Sequence, residues 1–254
     1  MEPVSWALGA VMLVFFIATP IWAYRFFHQN PLHIAICWLI ADVVATVVVI
    51  WAWAVGSGTD AAWFRTLSEY GSLYPQSIVF TYGFTAAAWL MLFIRAELPR
   101  SAYTEVTKLG WLYQLLSMTA SLGLALAAAY QTTLASPGIH TAGAALFMVP
   151  SALYCCLFSA HADVIKYGFP YRCKCAWVRF GVTVCLVVAL LLTGIFLLVS
   201  TSPTTDGPTE DGWVVGAVAE WSQILFYLIW FASHATNDVQ ETEYSVAYDK
   251  TKLG

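Results

Sequence analysis

The sequence predicts an all-helical bundle of seven transmembrane helices, and three observations lead to this fold class. Of the 254 residues, 60% are hydrophobic and 10% are charged, and the mean hydropathy is +0.70. In a soluble domain about a quarter of the residues are charged, so this chain has too few charged residues to cover a surface exposed to water. Seven apolar stretches approach the roughly 20 helical residues that cross about 30 Å of hydrocarbon. Their apolarity is continuous rather than alternating, which predicts helices and not barrel strands.

The predicted spans are separated by short connections that contain Pro, Gly or polar residues. No connection is long or polar enough to form a second domain. In chain order, the predicted spans are Ser5 to Tyr24, Leu32 to Val55, Ile78 to Ile94, Leu109 to Tyr130, Thr141 to Ala160, Val178 to Ser200 and Trp213 to Ser233.

The first span lacks the features of a cleaved signal peptide. No basic residue precedes it, and Tyr24-Arg25 follows it in place of a small-residue cleavage site. We therefore expect a retained helix, and we interpret Asn30-Pro31 as the turn before the second span. The expected organisation is an additional helix and short loop in residues 1–31, a six-helix membrane domain in residues 32–240 and a cytosolic tail in residues 241–254.

The later spans differ in what surrounds them. The third follows Pro75, the sixth follows a basic loop, and the seventh follows an acidic linker from Thr201 to Gly212. The fourth and fifth spans contain Gly123 and Gly143 among many alanines. Because small residues allow helix backbones to approach closely, we expect the fourth and fifth spans to pack tightly against each other.

The basic residues predict the orientation of the chain. If the N-terminus lies outside, ten of the eleven Lys and Arg residues are cytosolic and only Arg65 lies outside. This asymmetry favours a luminal or extracellular N-terminus and a cytosolic C-terminus. We expect an integral protein of an endomembrane, such as that of lysosomes or endosomes, or of the plasma membrane.

Composition also excludes several classes of protein. The net charge of −4 gives no basic excess for a nucleic-acid partner. A retinal protein needs a lysine in its last span, and Trp213 to Ser233 contains none. The expected partners are membrane lipids and other membrane proteins.

Several short motifs occur in the order found in a known family of membrane proteins. They are Ser68-Glu69-Tyr70-Gly71, Pro75-Gln76-Ser77-Ile78-Val79-Phe80, Ala129-Tyr130-Gln131, His140-Thr141-Ala142-Gly143-Ala144, Glu220-Trp221 and Asp238-Val239-Gln240. Together they resemble the damage-regulated autophagy modulators, within the FRAG/DRAM/SFK group of multi-pass membrane proteins. The resemblance covers about Leu32 to Tyr248. It implies six spans with both termini cytosolic, so the predicted first span is an addition.

The resemblance leaves three branches of the group open: autophagy modulators, plasma-membrane adaptors of phosphoinositide kinases, and a branch linked to remodelling of glycosylphosphatidylinositol anchors. It departs from the family pattern at Glu69, Ala142 and Val239. It implies a non-enzymatic regulator or adaptor, or an accessory subunit of a membrane complex. The alternative is a membrane-embedded lipid-modifying enzyme or anchor-remodelling factor.

Residues from separate segments map to the predicted luminal side, and we expect them to form one polar cluster beneath the Gly56 to Ser77 loop. Such a cluster would supply hydrogen-bond partners to the carboxyl group of Glu220. A carboxylate within a membrane span is energetically unfavourable unless it is protonated, paired or hydrated. Asp42 is a second intramembrane acid, for which we expect a tie to Thr46 or another hydroxyl. The expected cluster consists of Ser68, Glu69, Gly71, Pro75, Gln131, His140 and Glu220.

Two acid–histidine pairs near the predicted cytosolic side have the chemistry of metal ligands. They are His161 with Asp163 and His234 with Asp238. The spans contain no His-x-x-x-His or His-Glu-x-x-His spacing, so solvated interfacial histidines are the favoured interpretation and metal binding is the alternative. No catalytic set and no cofactor are expected, since the candidate acids and bases are divided between the two membrane faces.

Cys173 and Cys175 lie in the basic loop before the sixth span. Cysteines next to a membrane and among basic residues are candidate palmitoylation sites. Two ordinary reduced thiols are the equal alternative.

Overall fold

A computed structural model of the chain describes residues 31–56, 66–102, 109–130, 137–167, 173–200 and 210–235. Every regular element in these residues is helical. The elements are α1 (Pro31–Gly56), α2 (Leu67–Tyr70), α3 (Gln76–Ala102), α4 (Gly110–Ala129), α5 (Pro137–Leu157), a π-helical segment (Phe158–Ala162), α6 (Asp163–Tyr167), α7 (Lys174–Ser200) and α8 (Glu210–Ala235).

Within these described residues, six helices are long and apolar enough to cross a membrane. They are α1, α3, α4, the continuous rod of α5 to α6, α7 and α8, and they confirm the second to seventh predicted spans. The predicted first span, Ser5 to Tyr24, lies outside the described residues. As predicted from Asn30-Pro31, α1 begins at Pro31. Proline lacks a backbone N–H, and the first residue of a helix does not need one, because its N–H would have no partner within the helix.

Several helices extend beyond the predicted spans. Helix α3 continues to Ala102 instead of ending near Ile94, and the fifth span continues through α6 to Tyr167. The apolar pattern marks only the part of a helix that lies in hydrocarbon, whereas backbone hydrogen bonding continues into the headgroup zone. As a result, residues taken from the pattern as flanking loops belong to helices.

The spanning helices form a ring in chain order. Helix α1 packs on α3, α3 on α4, α4 on α5, α5 on α7, α7 on α8, and α8 returns to α1. Short connections between consecutive spans favour antiparallel neighbours of this kind. The ring therefore gives the bundle two ends, and we call them the Glu220 end and the Arg179 end after a polar residue at each.

Large aromatic side chains fill the centre of the ring. Trp230 and Phe231 of α8, Tyr154 of α5 and Tyr113 of α4 are all fully buried. Outward positions carry apolar side chains as well, such as Trp89 of α3, and face the bilayer. Because lipid is as apolar as these side chains, close packing and polar ties must hold the helices together.

Helices α4 and α5 approach each other closely, as the small residues predicted. A Cβ atom added to Gly143 would lie 2.6 Å from the backbone N of Ala127 and 3.0 Å from the carbonyl O of Gly123. No side chain fits at this distance without moving a backbone. The two glycines therefore set how closely α4 and α5 approach.

We predict that Gly143→Leu destabilises the bundle by about 1–3 kcal/mol, because the added side chain must push α4 away. The measurement is the thermal unfolding midpoint of the purified protein in detergent. Gly194→Leu in α7 is the matched control, since a Cβ atom there meets nothing within 4 Å. Equal unfolding midpoints for the two variants would contradict the assigned role of Gly143.

Candidate functional site

The described residues hold polar clusters at both ends of the ring, buried at the Arg179 end and partly buried at the Glu220 end. The Arg179 cluster consists of Asp163, Arg179 and Ser233. The Glu220 cluster consists of Thr66, Ser68, Glu69 and Glu220. Each cluster joins side chains that lie far apart in sequence.

An ion pair between Asp163 of α6 and Arg179 of α7 is the centre of the Arg179 cluster. The Arg179 Nε donates to Asp163 Oδ2 at 2.8 Å, and its Nη2 donates to Oδ1 at 2.7 Å. The side chains of Arg179 and Asp163 are 0% and 1% exposed. Arg179 Nη1 also donates to the Ser233 carbonyl of α8 at 3.4 Å. One guanidinium therefore ties three helical segments together, and its charge is matched by the carboxylate.

The π-helical segment explains how Asp163 reaches Arg179. It occupies Phe158–Ala162, directly before Asp163, and follows Pro150 in the same rod. A π-helical turn holds one extra residue and so rotates all later residues by about 100° around the helix axis. The sequence pattern contained no signal for this rotation.

Arg95 of α3 is the second buried arginine, and it has no carboxylate partner among the described residues. Its Nη2 donates to Ser151 Oγ at 2.9 Å, while Nε and Nη1 have no hydrogen-bond partner. The guanidinium carbon lies 5.4 Å from the ring centre of Tyr154 and 5.6 Å from that of Phe231. Both rings therefore lie within the distance at which an aromatic face attracts a guanidinium cation.

The sequence analysis placed both arginines among the basic residues of the cytosolic side. In the structure both are fully buried inside the bundle at the Arg179 end, so they are not solvated flanks of their spans. Hydropathy locates a span but does not show on which face of the helix a residue lies. For Arg95 a signal was present, since Met91, Ile94 and Leu98 share its side of α3 and are buried with it.

The structure does not assemble the alternative metal site of His161, Asp163, His234 and Asp238. Both oxygens of Asp163 are held by Arg179, and Asp238 lies outside the described residues. His234 packs against the rings of Trp230 and Phe158, with ring centres 4.5 Å and 5.0 Å away. Within the described ranges, no three His, Cys, Asp or Glu side chains are placed to hold a metal ion.

His234 and His161 are not the solvated histidines that the sequence favoured. His234 is buried and its Nε2 has no hydrogen-bond partner. His161 is half-buried, and its Nδ1 also has none.

The Glu220 cluster joins α8 to the one-turn helix α2. Ser68 Oγ donates to Glu220 Oε1 at 2.7 Å, and the backbone amides of Leu67 and Ser68 also interact with this carboxyl group. The predicted Gly56 to Ser77 loop thus contains a helix that bonds to a membrane span. The structure brings Ser68 and Glu220 together, 152 residues apart in sequence.

Helix α2 has a local cause that the sequence contained. Thr66 Oγ1 accepts from the Glu69 backbone N–H at 3.2 Å, and Glu69 Oε2 accepts from the Thr66 backbone N–H at 3.1 Å. This reciprocal pair is a capping box, whose signature is Ser or Thr followed three residues later by an acid. Gly71 and Pro75 lie in the turn from α2 to α3. The motif Thr66-Leu67-Ser68-Glu69 could therefore have located α2.

His140 does not join the Glu220 cluster. Its Nδ1 lies 2.8 Å from the carbonyl oxygens of Ala127 and Tyr130, so it donates to the end of α4 and ties α4 to α5. Ring order explains the difference, because α4 and α5 lie across the ring from α8 and α1. Gln131 lies outside the described residues.

Asp42 of α1 also differs from expectation. It is buried, and neither carboxyl oxygen has a hydrogen-bond partner. The expected tie to Thr46 is not formed, since the Thr46 Oγ1 has no partner either and packs against Gly83 of α3.

Cys173 and Cys175 are buried at the start of α7, packed with Val164 and Tyr167. Both thiols lie beneath α6 in this arrangement. A palmitoyl group could reach them only after α6 moved away.

A groove lies between α1 and α8, and Tyr70 of α2 also lines it. Its volume is about 440 Å³. Trp221 follows Glu220 in α8, and Tyr70 lies two residues after Ser68 in α2. The groove is lined by Val47, Val48, Trp51, Tyr70, Val218, Trp221 and Ser222.

Comparison with known proteins gives one match. A family model described as the Frag1/DRAM/Sfk1/Cwh43P N-terminal domain matches residues 30–237. Neither a curated protein nor a solved structure matches the chain.

We predict that Asp163→Asn and Arg179→Gln each cost about 3–5 kcal/mol of stability, because each leaves its partner buried without a counter-charge. The double variant should cost less than the sum of the two single variants by about 2–3 kcal/mol. Denaturant unfolding in detergent measures all three. Lys166→Gln is the control, since Lys166 is an exposed cation of α6. Additive costs would show that the ion pair does not hold α6 and α7 together.

Proposed function

Because this chain belongs to the Frag1/DRAM/Sfk1/Cwh43P family of multi-pass membrane proteins, we propose that it is a membrane regulator or adaptor that works without catalysis. It acts by binding lipids or the helices of other membrane proteins, as an accessory subunit does. The resemblance to the damage-regulated autophagy modulators favours a role in autophagy or at the lysosome, or in the control of a phosphoinositide kinase.

The observation that carries this proposal is the occupation of the candidate acids and bases by structural contacts. Asp163 is paired to Arg179, Glu220 accepts from Ser68, and His140 donates to carbonyls of α4. A general acid or base must be free to reach the proton that it transfers. Groups that already tie helices together support a structural role for these residues.

The division of polar groups between two ends points in the same direction. Along α8, Glu220 and His234 are separated by about 21 Å at 1.5 Å per residue. No small substrate group can contact both. Because Glu220 and His234 cannot act on the same substrate group, their separation supports binding through the membrane-embedded faces over catalysis by the two residues together.

We further propose that the Arg179 end faces the cytosol. All five Lys and Arg residues of the described chain belong to the helical parts nearest this end. The positive-inside rule supports a cytosolic location for such residues. The Glu220 end then faces the lumen of an endomembrane compartment or the cell exterior.

One observation favours the alternative, a membrane-embedded lipid-modifying enzyme. His234 Nε2 and His161 Nδ1 both belong to the Arg179 end of the bundle, and neither has a hydrogen-bond partner among the described residues. An unoccupied imidazole nitrogen is suited to proton transfer. This alternative confines any chemistry to the Arg179 end.

The deciding experiment incubates the purified protein in nanodiscs with ceramide, phosphoinositide and glycosylphosphatidylinositol lipids. We expect no turnover above that of empty nanodiscs. In cells that lack the protein, His161→Ala and His234→Phe should restore function as well as the wild type, since Phe keeps most of the volume of the buried ring.

Two results would instead establish the enzyme. One is turnover that disappears in His234→Phe while the amount of folded protein stays the same. The other is failure of both histidine variants to restore function at wild-type abundance.

A further inference from the structure

Arg95 is a buried cation inside the bundle, and no acid of the described chain neutralises it. Its side chain is fully buried, and its Nε and Nη1 have no hydrogen-bond partner among the described residues. An arginine stays protonated in proteins, so it cannot lose its charge by releasing a proton. A buried charge without a counter-charge is strongly destabilising, and the attraction of two aromatic rings offsets only part of that cost. The Arg95 guanidinium therefore requires a negative partner.

The acids of the described helices near Arg95 do not supply that partner. Both carboxylate oxygens of Asp163 are held by Arg179. Glu97 lies two residues after Arg95 in α3, and residues at this spacing do not share a face of a helix. Glu220 accepts from Ser68 at the other end of the bundle.

Asp42 of α1 does not meet Arg95 either. Thr46 of α1 packs against Gly83 of α3, and consecutive spans run in opposite directions, so Asp42 is level with about Ala87. Ala87 and Arg95 are separated by about 12 Å along α3 at 1.5 Å per residue. Neither carboxyl oxygen of Asp42 has a hydrogen-bond partner among the described residues. The negative partner of Arg95 is therefore not found among these acids.

Trp230 of α8 provides another unpartnered donor beside Arg95. Its ring centre lies 6.0 Å from that of Tyr154 and 5.3 Å from that of Phe231, and these are the two rings that Arg95 approaches. The Trp230 Nε1 has no hydrogen-bond partner among the described residues. Guanidinium and indole nitrogens only donate hydrogen bonds, so both side chains need an acceptor. We call Arg95, Tyr154, Trp230 and Phe231 the Arg95 group.

The Arg95 group is closed to solvent and to lipid, because all of its members are 0% exposed. A phospholipid headgroup remains attached to its acyl chains, so it could reach these donors only through an opening to the bilayer. A monatomic anion needs only the space of a single ion. Chloride is the abundant ion of this kind in cells, and it accepts several N–H hydrogen bonds.

We propose that the Arg95 group binds a chloride ion. Arg95 supplies the counter-charge and the main donors, Nε and Nη1, and Trp230 Nε1 supplies a further donor. The bound ion neutralises the guanidinium, so the packing of α3, α5 and α8 around it depends on the concentration of chloride. This inference goes beyond the proposed adaptor function.

Thermal unfolding of the full chain in detergent tests the proposal, with sodium chloride compared with sodium gluconate at equal ionic strength. A ligand that binds only the folded protein stabilises it, so the unfolding midpoint should be about 5 °C higher in chloride. Sodium bromide should act like sodium chloride. Equal midpoints in chloride and gluconate would overturn the proposal.

Arg95→Met removes the charge and keeps much of the length of the side chain. Its unfolding midpoint should be the same in chloride and gluconate, because no buried cation is left to neutralise. Lys166→Gln is the control, since it removes an exposed cation of α6 and should keep the full effect of chloride. An undiminished effect of chloride on Arg95→Met would contradict binding at Arg95.

Trp230→Phe removes the Nε1 donor and keeps an aromatic ring. The chloride concentration that gives half of the stabilisation should rise about tenfold, as expected for the loss of one hydrogen bond to a charged group. Trp89→Phe is the matched control, because Trp89 of α3 is 69% exposed and faces the bilayer. Equal changes in the two variants would contradict the role of Trp230 in the site.

The alternative is that a carboxylate of the chain neutralises Arg95, and three further variants test it. Glu105 and Asp238 lie outside the described residues. With chloride as the counter-charge, Asp42→Asn, Glu105→Gln and Asp238→Asn should all keep the effect of chloride. Loss of this effect together with a lower midpoint in one of these variants would assign the counter-charge to that carboxylate and overturn the proposal.

Anomalous scattering from crystals of the wild-type protein grown in bromide decides the outcome if Arg95→Met does not fold. A bromide peak within hydrogen-bond distance of Arg95 Nε or Nη1 is expected. The absence of a peak there would overturn the proposal. Failure would leave the adaptor function open, because these experiments measure anion binding and not the binding of partners.

Discussion

The ion pair between Asp163 and Arg179 determines where three segments of the bundle meet. In a membrane, helix association lacks the hydrophobic drive that assembles a soluble core. A buried charge that lost its partner would carry a large desolvation cost, so α6 must remain against α7. The contact from Arg179 to the Ser233 carbonyl then brings the end of α8 to the same place. The π-helical turn before Asp163 is the local distortion that makes this meeting point reachable.

Other polar contacts join helices that the ion pair does not reach. Ser68 and Glu220 join α2 to α8, His140 joins α5 to α4, and Tyr154 donates to the Arg95 carbonyl between α5 and α3. Each contact crosses between segments, and each occupies a group that would otherwise be a candidate for chemistry. The same physical requirement, that polar atoms in hydrocarbon find partners, therefore stabilises the ring.

Much of the fold could be predicted from patterns in the sequence. Continuous apolarity located six spans, Pro31 marked the start of α1, and Gly123 with Gly143 indicated the closest helix pair. The candidate site was harder to predict from the sequence. Apolarity cannot tell which face of α3 or α7 points inward, so it did not show that Arg95 and Arg179 are buried inside the bundle. It also says nothing about ring order, so His140 was grouped with Glu220 although α5 and α8 are not neighbours in the ring.

The most direct test of this account is a density map of the protein in a lipid nanodisc. The account predicts that Asp163 and Arg179 remain in direct contact, with continuous density between the carboxylate and the guanidinium. It also predicts direct contact between Ser68 and Glu220. A map in which a metal ion or a lipid phosphate separates Asp163 from Arg179 would contradict the structural role of the pair and favour chemistry at that end.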